Sequence, residues 1–325
     1  MQFSRRAAAV LAATVLLALA VSAVHAQAWP TKPIRLIVPF TPGGGTDLLA
    51  REVANKMAGM GYNFVIENKP GSGGNLGVDA VAKAPADGYT LVLGQTSNLA
   101  INPTLYAKLP YDPVKDLTLL SLVASSPLLI ATAADSPYRT LADVVKAAKE
   151  NPGLLNYATS GNGTVAHLAL ESFQKAAGIK LTHVPYKGAS QAATDVISGQ
   201  VQLHVSSIPT LLGHIRNGKM RAIAVTSLKR AEEQAQVPTV TESGYKDFQA
   251  VTWFGIAGPA NLPKDVAAKL GADINKALKD PVLAKKLRDQ GANVEGSSAE
   301  QFGKLIRDDI ARWGKLVKES GAKVD

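Results

Sequence analysis

PFTPGGGTD, residues 39–47, lies between the apolar run IRLIV (34–38) and the helical pattern LLAREVANKM (48–57). A buried strand, three consecutive glycines and a helix are the parts of a βαβ unit, in which the bend sits beyond the carboxyl end of the strand. Leu49, Val53 and Met57 fall on one helical face and are expected to be buried. The opening amides of such a helix have no internal partner and carry partial positive charge, and glycine lets another group approach them closely. The stretch is therefore built to hold an anion.

The same plan recurs. LLNYA (154–158), TSGNGTV (159–165) and AHLALESFQKAAG (166–178) again read as strand, glycine bend and helix. Between and beyond these units, FVIENK (64–69), the strand of PADGYTLVLGQ (85–95), PLLIATA (127–133), LTHVPYKG (181–188), VQLHVSS (201–207), MRAIAVTS (220–227) and VTWFGIAGP (251–259) read as strands. Helices are expected over 76–83, 140–151, 190–198 and 208–217, and through most of the tail from 263. Strands alternating with helices predict a parallel α/β sheet. The segment 251–259 suits the first sheet, so the chain is expected to leave lobe 1 (27–125 plus 228–325), build lobe 2 (126–227) and return. Two crossings make a hinge with a cleft between lobes. Across that cleft the two bends would form an anion clamp of backbone amides, to which the hydroxyls of Thr41, Thr46, Ser160 and Thr164 add donors. Asp47, in the first helical turn, has two readings: it pairs with Arg51, or it accepts a hydrogen bond from the ligand.

Composition narrows the class. The 325 residues include no cysteine, which removes disulfides, zinc–thiolate sites and a thiol nucleophile. MQFSRR, an apolar alanine-rich run and Val24-His25-Ala26 form an export signal over 1–26, with cleavage expected after Ala26 and a mature product free in an exported compartment. The alternative, a membrane anchor, is disfavoured because the run is marginal in length and hydrophobicity. The net charge of +9 is spread along the chain, without the concentrated basic patch that nucleic acid requires.

Enzyme chemistry finds little purchase. Gly161, Gly163 and Ala166 match a dinucleotide fingerprint, but the following strand region, LTHVPYKG, carries no acid for the ribose. No P-loop and no nucleophile elbow occurs. The histidines lack metal-ligand spacing, so neither metal nor cofactor is expected. His167, beside the second bend, is the best functional candidate, and a hydrolase would use it with a nearby hydroxyl. Tyr186 at a strand end, Gln95, Thr96, Ser97 and Asn98 at another, and Ser206 with Ser207 at a third suit neutral hydrogen bonding.

KPIRLIVPFTPGGGTDLLAR, VIENKPGSGGNLG, APADGYTLVLG, YATSGNGTVAHLALESF, HVPYKGASQAATDVISGQVQ, RAIAVTS and WFGIAGP occur in this order. Over nearly the whole mature chain they resemble the Bug/TctC family of periplasmic solute receptors of tripartite tricarboxylate transporters. The resemblance implies a two-lobed, flytrap-like α/β binding protein of type II, and a ligand carboxylate held mainly by backbone amides and waters. The matching turns here are Phe40, Thr41, Pro42, Gly43, Gly44, Thr46 and Asp47 on one side, and Thr159, Ser160, Gly161, Gly163 and Thr164 on the other. The strand end around Gln95, Ser97 and Asn98 would extend the cleft. The sequence departs from the family at Gln202, where many relatives carry an acid, and over HVSSIPT (204–210), positions expected to bear on the far half of the ligand. The implied partners are a small carboxylate and the membrane subunits of a transporter; a ligand-dependent sensor role uses the same closure.

Overall fold

The computed structural model describes residues 29–320, and the expected export signal over 1–26 lies outside them. From Pro33 onward the chain forms one contact unit. β1 (Ile34–Val38) is followed by α1 (Gly45–Ala58), β2 (Phe64–Asn68), α2 (Asn75–Ala82) and β3 (Thr90–Gln95). β1 pairs in parallel with both β2 and β3, the arrangement that βαβ units impose. Leu49, Val53 and Met57 of α1 are buried, as their spacing requires.

After the short α3 (Asn102–Leu105) comes β4 (Leu117–Ala133), seventeen residues long. The expected strand over 127–133 is only its second half. The first half was hidden from pattern reading because LTLLSLVASS has no clean alternation; six of its ten residues fall in the same buried class. β4 is followed by α4 (Leu141–Glu150), β5 (Asn156–Thr159), α5 (Val165–Ala177), β6 (Thr182–Pro185), α6 (Ala189–Ile197), β7 (Leu203–Ser207), α7 (Ile208–Arg216) and β8 (Met220–Val225). Thr140 caps α4 through a reciprocal box with Asp143, and Gly178 ends α5 in the left-handed conformation. β9 (Val251–Pro259), α8 (Lys264–Leu278), α9 (Pro281–Asp289), β10 (Asn293–Val294) and α10 (Ala299–Ser320) complete the described chain.

The strand order is β2-β1-β3-β9-β4-β7-β5-β6, with β8 and β10 also on β4. β9 pairs with β3 and with the 117–127 part of β4, whereas β7 and β8 pair with residues 128–133. β4 is thus common to both groups of strands. The sheet is not purely parallel: β9 runs antiparallel to β3, and β4 antiparallel to β7, β8 and β9. A long strand entered from one βαβ array and left into another meets its neighbours head to tail, which local periodicity does not reveal. The polar stretch after β3 is also not a strand end. Ser97–Ile101 forms a single helical turn, all of it buried.

Candidate ligand-binding site

The N-termini of four helices border one small cavity of about 40 Å³. α1 contributes Gly44, Gly45 and Thr46; α5 contributes Thr164, Val165 and Ala166; α6 contributes Ala189; α7 contributes Ser207 and Thr210. Leu128 of β4, Thr252 of β9 and Gln95 of β3 line it from the sheet, with Phe40, Ser160 and Ser206 from strand ends. The space corresponds to about three water-sized positions, the bulk of a carboxylate group.

Among the described residues, no charged side chain lines this cavity. The first-turn amides of Thr46, Val165 and Ala166 have no protein partner among the described residues. They supply N–H groups and the positive ends of helix dipoles, joined by seryl and threonyl hydroxyls. Such a lining favours a compact anion that accepts many hydrogen bonds.

Of the residues expected from sequence, Phe40, Gly44, Thr46, Gln95, Ser160, Thr164 and Ser206 border the cavity. The others lie around it with different work. Pro42 offers its carbonyl to the Ser190 hydroxyl at 2.5 Å. Gly43 adopts a φ of +79° and donates its amide to Asp47. Gly161 and Gly163 serve close packing rather than lining. A Cβ on Gly161 would sit 3.1 Å from the Tyr186 carbonyl, and one on Gly163 2.5 Å from Oδ1 of Asn102. Ser97 and Asn98 are buried in the turn after β3, where Oδ1 of Asn98 accepts the Gln95 amide. The Tyr186 hydroxyl donates to Asp195, and the Thr41 hydroxyl is enclosed without a partner among the described residues.

Asp47 takes the first of its two readings. Its carboxylate accepts from Nε and Nη2 of Arg51 at 2.9 and 3.0 Å, from the Gly43 amide at 3.0 Å and from Nδ2 of Asn68 at 2.9 Å. These four bonds fill its acceptor positions. Burial opposes the charge, but the hydrogen bonds from Arg51, Gly43 and Asn68 and the guanidinium charge outweigh it, so the carboxyl stays below its ordinary range. The network stiffens the first bend and pairs the Asp47 charge with the Arg51 guanidinium.

Behind the second bend, Tyr157, His183 and His167 stack. The His167 and His183 rings lie 4.2 Å apart and the Tyr157 and His183 rings 4.8 Å. Nδ1 of His167 accepts the Gly163 amide at 3.3 Å, so the ring is neutral on that side and braces the bend. Burial lowers the pKa of His167, partly offset by Glu171, and burial together with His167 lowers that of His183 to about 3. The hydroxyl closest in kind to a nucleophile, Oγ1 of Thr159, lies 2.7 Å from Nε2 of His183, but Thr159 is fully buried and does not border the cavity.

Sequence reasoning missed Gly45, Leu128, Val165, Ala166, Ala189 and Thr252 as cavity residues. Helices near 190–198 and 208–217 were legible, and their N-termini were the available signal. Gln202, expected to bear on the ligand, instead accepts the Asn156 amide at 3.0 Å and is not at the cavity, whereas Ser206, Ser207 and Thr210 of the same divergent region are.

A family model described as the tripartite tricarboxylate transporter family receptor matches residues 49–322. The periplasmic binding protein BugD is 33% identical and superposes with a TM-score of 0.87, covering 91% of this chain and 99% of its own. Rpa4515 of R. palustris, solved with adipate, is 34% identical, with a TM-score of 0.88 over 91% of this chain and 100% of its own. MatC from Rhodopseudomonas palustris, solved with bound malate, is 30% identical, with a TM-score of 0.84 over 89% and 100%. The chain belongs to the tripartite tricarboxylate transporter receptor family, the Bug/TctC solute-binding proteins, and shares their two-lobed α/β fold.

Proposed function

We propose that this protein is a periplasmic receptor that closes two lobes around a small carboxylate and delivers it to the membrane subunits of a tripartite tricarboxylate-type transporter. The observation that carries the reading is the convergence of four helix N-termini on one cavity without a charged side chain. Such a site neutralises a carboxylate with oriented dipoles and hydrogen bonds, and its lining offers an ammonium no carboxylate to pair with. Adipate in Rpa4515 and malate in MatC support the same ligand class here. The lobes run over 27–125 plus 228–325 and over 126–227, and ligand stabilises their closed arrangement by binding it more tightly. The export signal over 1–26 is cleaved near Ala26 and directs the chain to the periplasm.

The binding reading is favoured over hydrolysis because the cavity lining contains hydroxyls but no imidazole or carboxylate to activate one. Isothermal titration and thermal shift with adipate, malate and shorter mono- and dicarboxylates test the proposal. Diamines and neutral sugars serve as controls. Saturable binding of carboxylates alone is expected; stabilisation by diamines or sugars but by no carboxylate would overturn it. Capture of membrane subunits only in the presence of ligand separates transport from a sensor role.

A further inference from the structure

A cavity of about 620 Å³ lies between the start of α4, β8 and the segment 234–243, and it shares no lining residue with the cavity of about 40 Å³ at the helix N-termini. Its volume is in the range of sites for small organic ligands. Arg139 and Arg221 both line it, and neither guanidinium has a carboxylate partner among the described residues. Arg139 is exposed and Arg221 half-buried, and Nη1 of Arg221 has no hydrogen-bond partner among the described residues. Gln234, Gln236, Thr140 and Ser243 add neutral polar groups, and Leu141, Ile223 and Val237 provide an apolar wall. Asp143, on the first turn of α4, is tied to the amides of Arg139 and Thr140 at 3.0 and 2.8 Å and is not part of the lining. Among the described residues, no acidic side chain lines the cavity. Two lining arginines without carboxylate partners, beside an apolar wall, have the chemistry to recognise an anionic head on a hydrophobic body.

We propose that this cavity is a second binding site, for an amphipathic organic anion larger than the cleft ligand. It is independent of the carboxylate site.

The fluorescent probe 1-anilinonaphthalene-8-sulfonate tests this on the full mature chain, with uncharged N-phenyl-1-naphthylamine as its comparison. Saturable sulfonate binding is expected, insensitive to Gly45→Val in the cleft and weakened by salt. The double variant Arg139→Met/Arg221→Met is expected to bind about tenfold more weakly, and Arg139→Lys/Arg221→Lys to retain most of the affinity. Absence of probe binding, equal binding of the uncharged probe, or an unchanged affinity in the methionine variant would overturn the proposal. Should the methionine variant fail to fold, the wild-type salt titration decides, because salt-independent binding is incompatible with recognition by the arginines.

Discussion

The amide of Gly45 donates to Oγ1 of Thr210 at 2.9 Å, joining two helix N-termini that are 165 positions apart in the chain. The bond is buried and lies at the cavity edge. A Cβ on Gly45 would stand 2.6 Å from the Ser207 hydroxyl and 3.0 Å from Oγ1 of Thr210, whereas one on Gly44 would make only ordinary contacts, the closest at 3.6 Å. Gly45 rather than Gly44 is therefore the close-approach glycine of the triplet. Gly45→Ala is expected to weaken carboxylate binding more than Gly44→Ala. Thr210→Val leaves the Gly45 amide without its acceptor, at a cost of about 1–2 kcal/mol, or about 5–30-fold in affinity. Isothermal titration of the three variants checks the order; equal effects at 44 and 45 would contradict it.

Gly188 faces Thr41 so closely that any Cβ would overlap the threonine side chain. Neither residue lines the cavity. Gly188→Ala is expected to hinder the approach of the 186–190 segment to the first bend and so to lower affinity without altering the lining. Small-angle scattering with saturating ligand should then report a larger radius of gyration than for the wild type. An unchanged radius and affinity would show that the segment yields at no cost.

Asp47 holds the first bend through one carboxylate. Asp47→Asn keeps the shape but removes the charge that pairs with Arg51, and a loss of about 1–3 kcal/mol of stability is expected from denaturant midpoints. Because the folded carboxyl titrates below its ordinary value of 3.8, its contribution is present above that value and is lost as pH falls through the folded pKa. A variant as stable as the wild type at neutral pH would remove Asp47 from this role.

His183 and His204 both titrate near 3 when folded, against an ordinary 6.5. Burial is the main cause in each, and neither ring nitrogen of His204 has a hydrogen-bond partner among the described residues. Their folded pKa values are depressed, so the unfolded chain binds more protons than the native one between about pH 6.5 and about pH 3. Stability is expected to fall across that window as pH drops, by about 1.4 kcal/mol per pH unit for each proton taken up on unfolding. His204→Leu should flatten the decline and raise the urea midpoint at about pH 5 more than at about pH 8. A parallel decline in the variant would locate the effect elsewhere.

Much of this protein was written locally. IRLIV and PFTPGGGTD specify a strand, a bend and a helix because apolar period, glycine freedom and unpaired first-turn amides are properties of neighbouring residues. The pairing of Asp47 with Arg51 follows from helical spacing for the same reason. The full length of β4 was not legible, because burial along it depends on neighbours contributed by β9, β7 and β8.

The cavity itself belongs to the tertiary structure. Thr210 and Gly45 meet, Thr252 and Leu128 reach the floor, and Ser97 and Asn98 turn away from it, only because distant strands pair in one register. Local sequence could determine that two bends were suited to an anion, since backbone donors are created where a helix begins. Which helices share a cavity is decided by strand order and side-chain packing, and those are set by contacts between residues far apart in the chain.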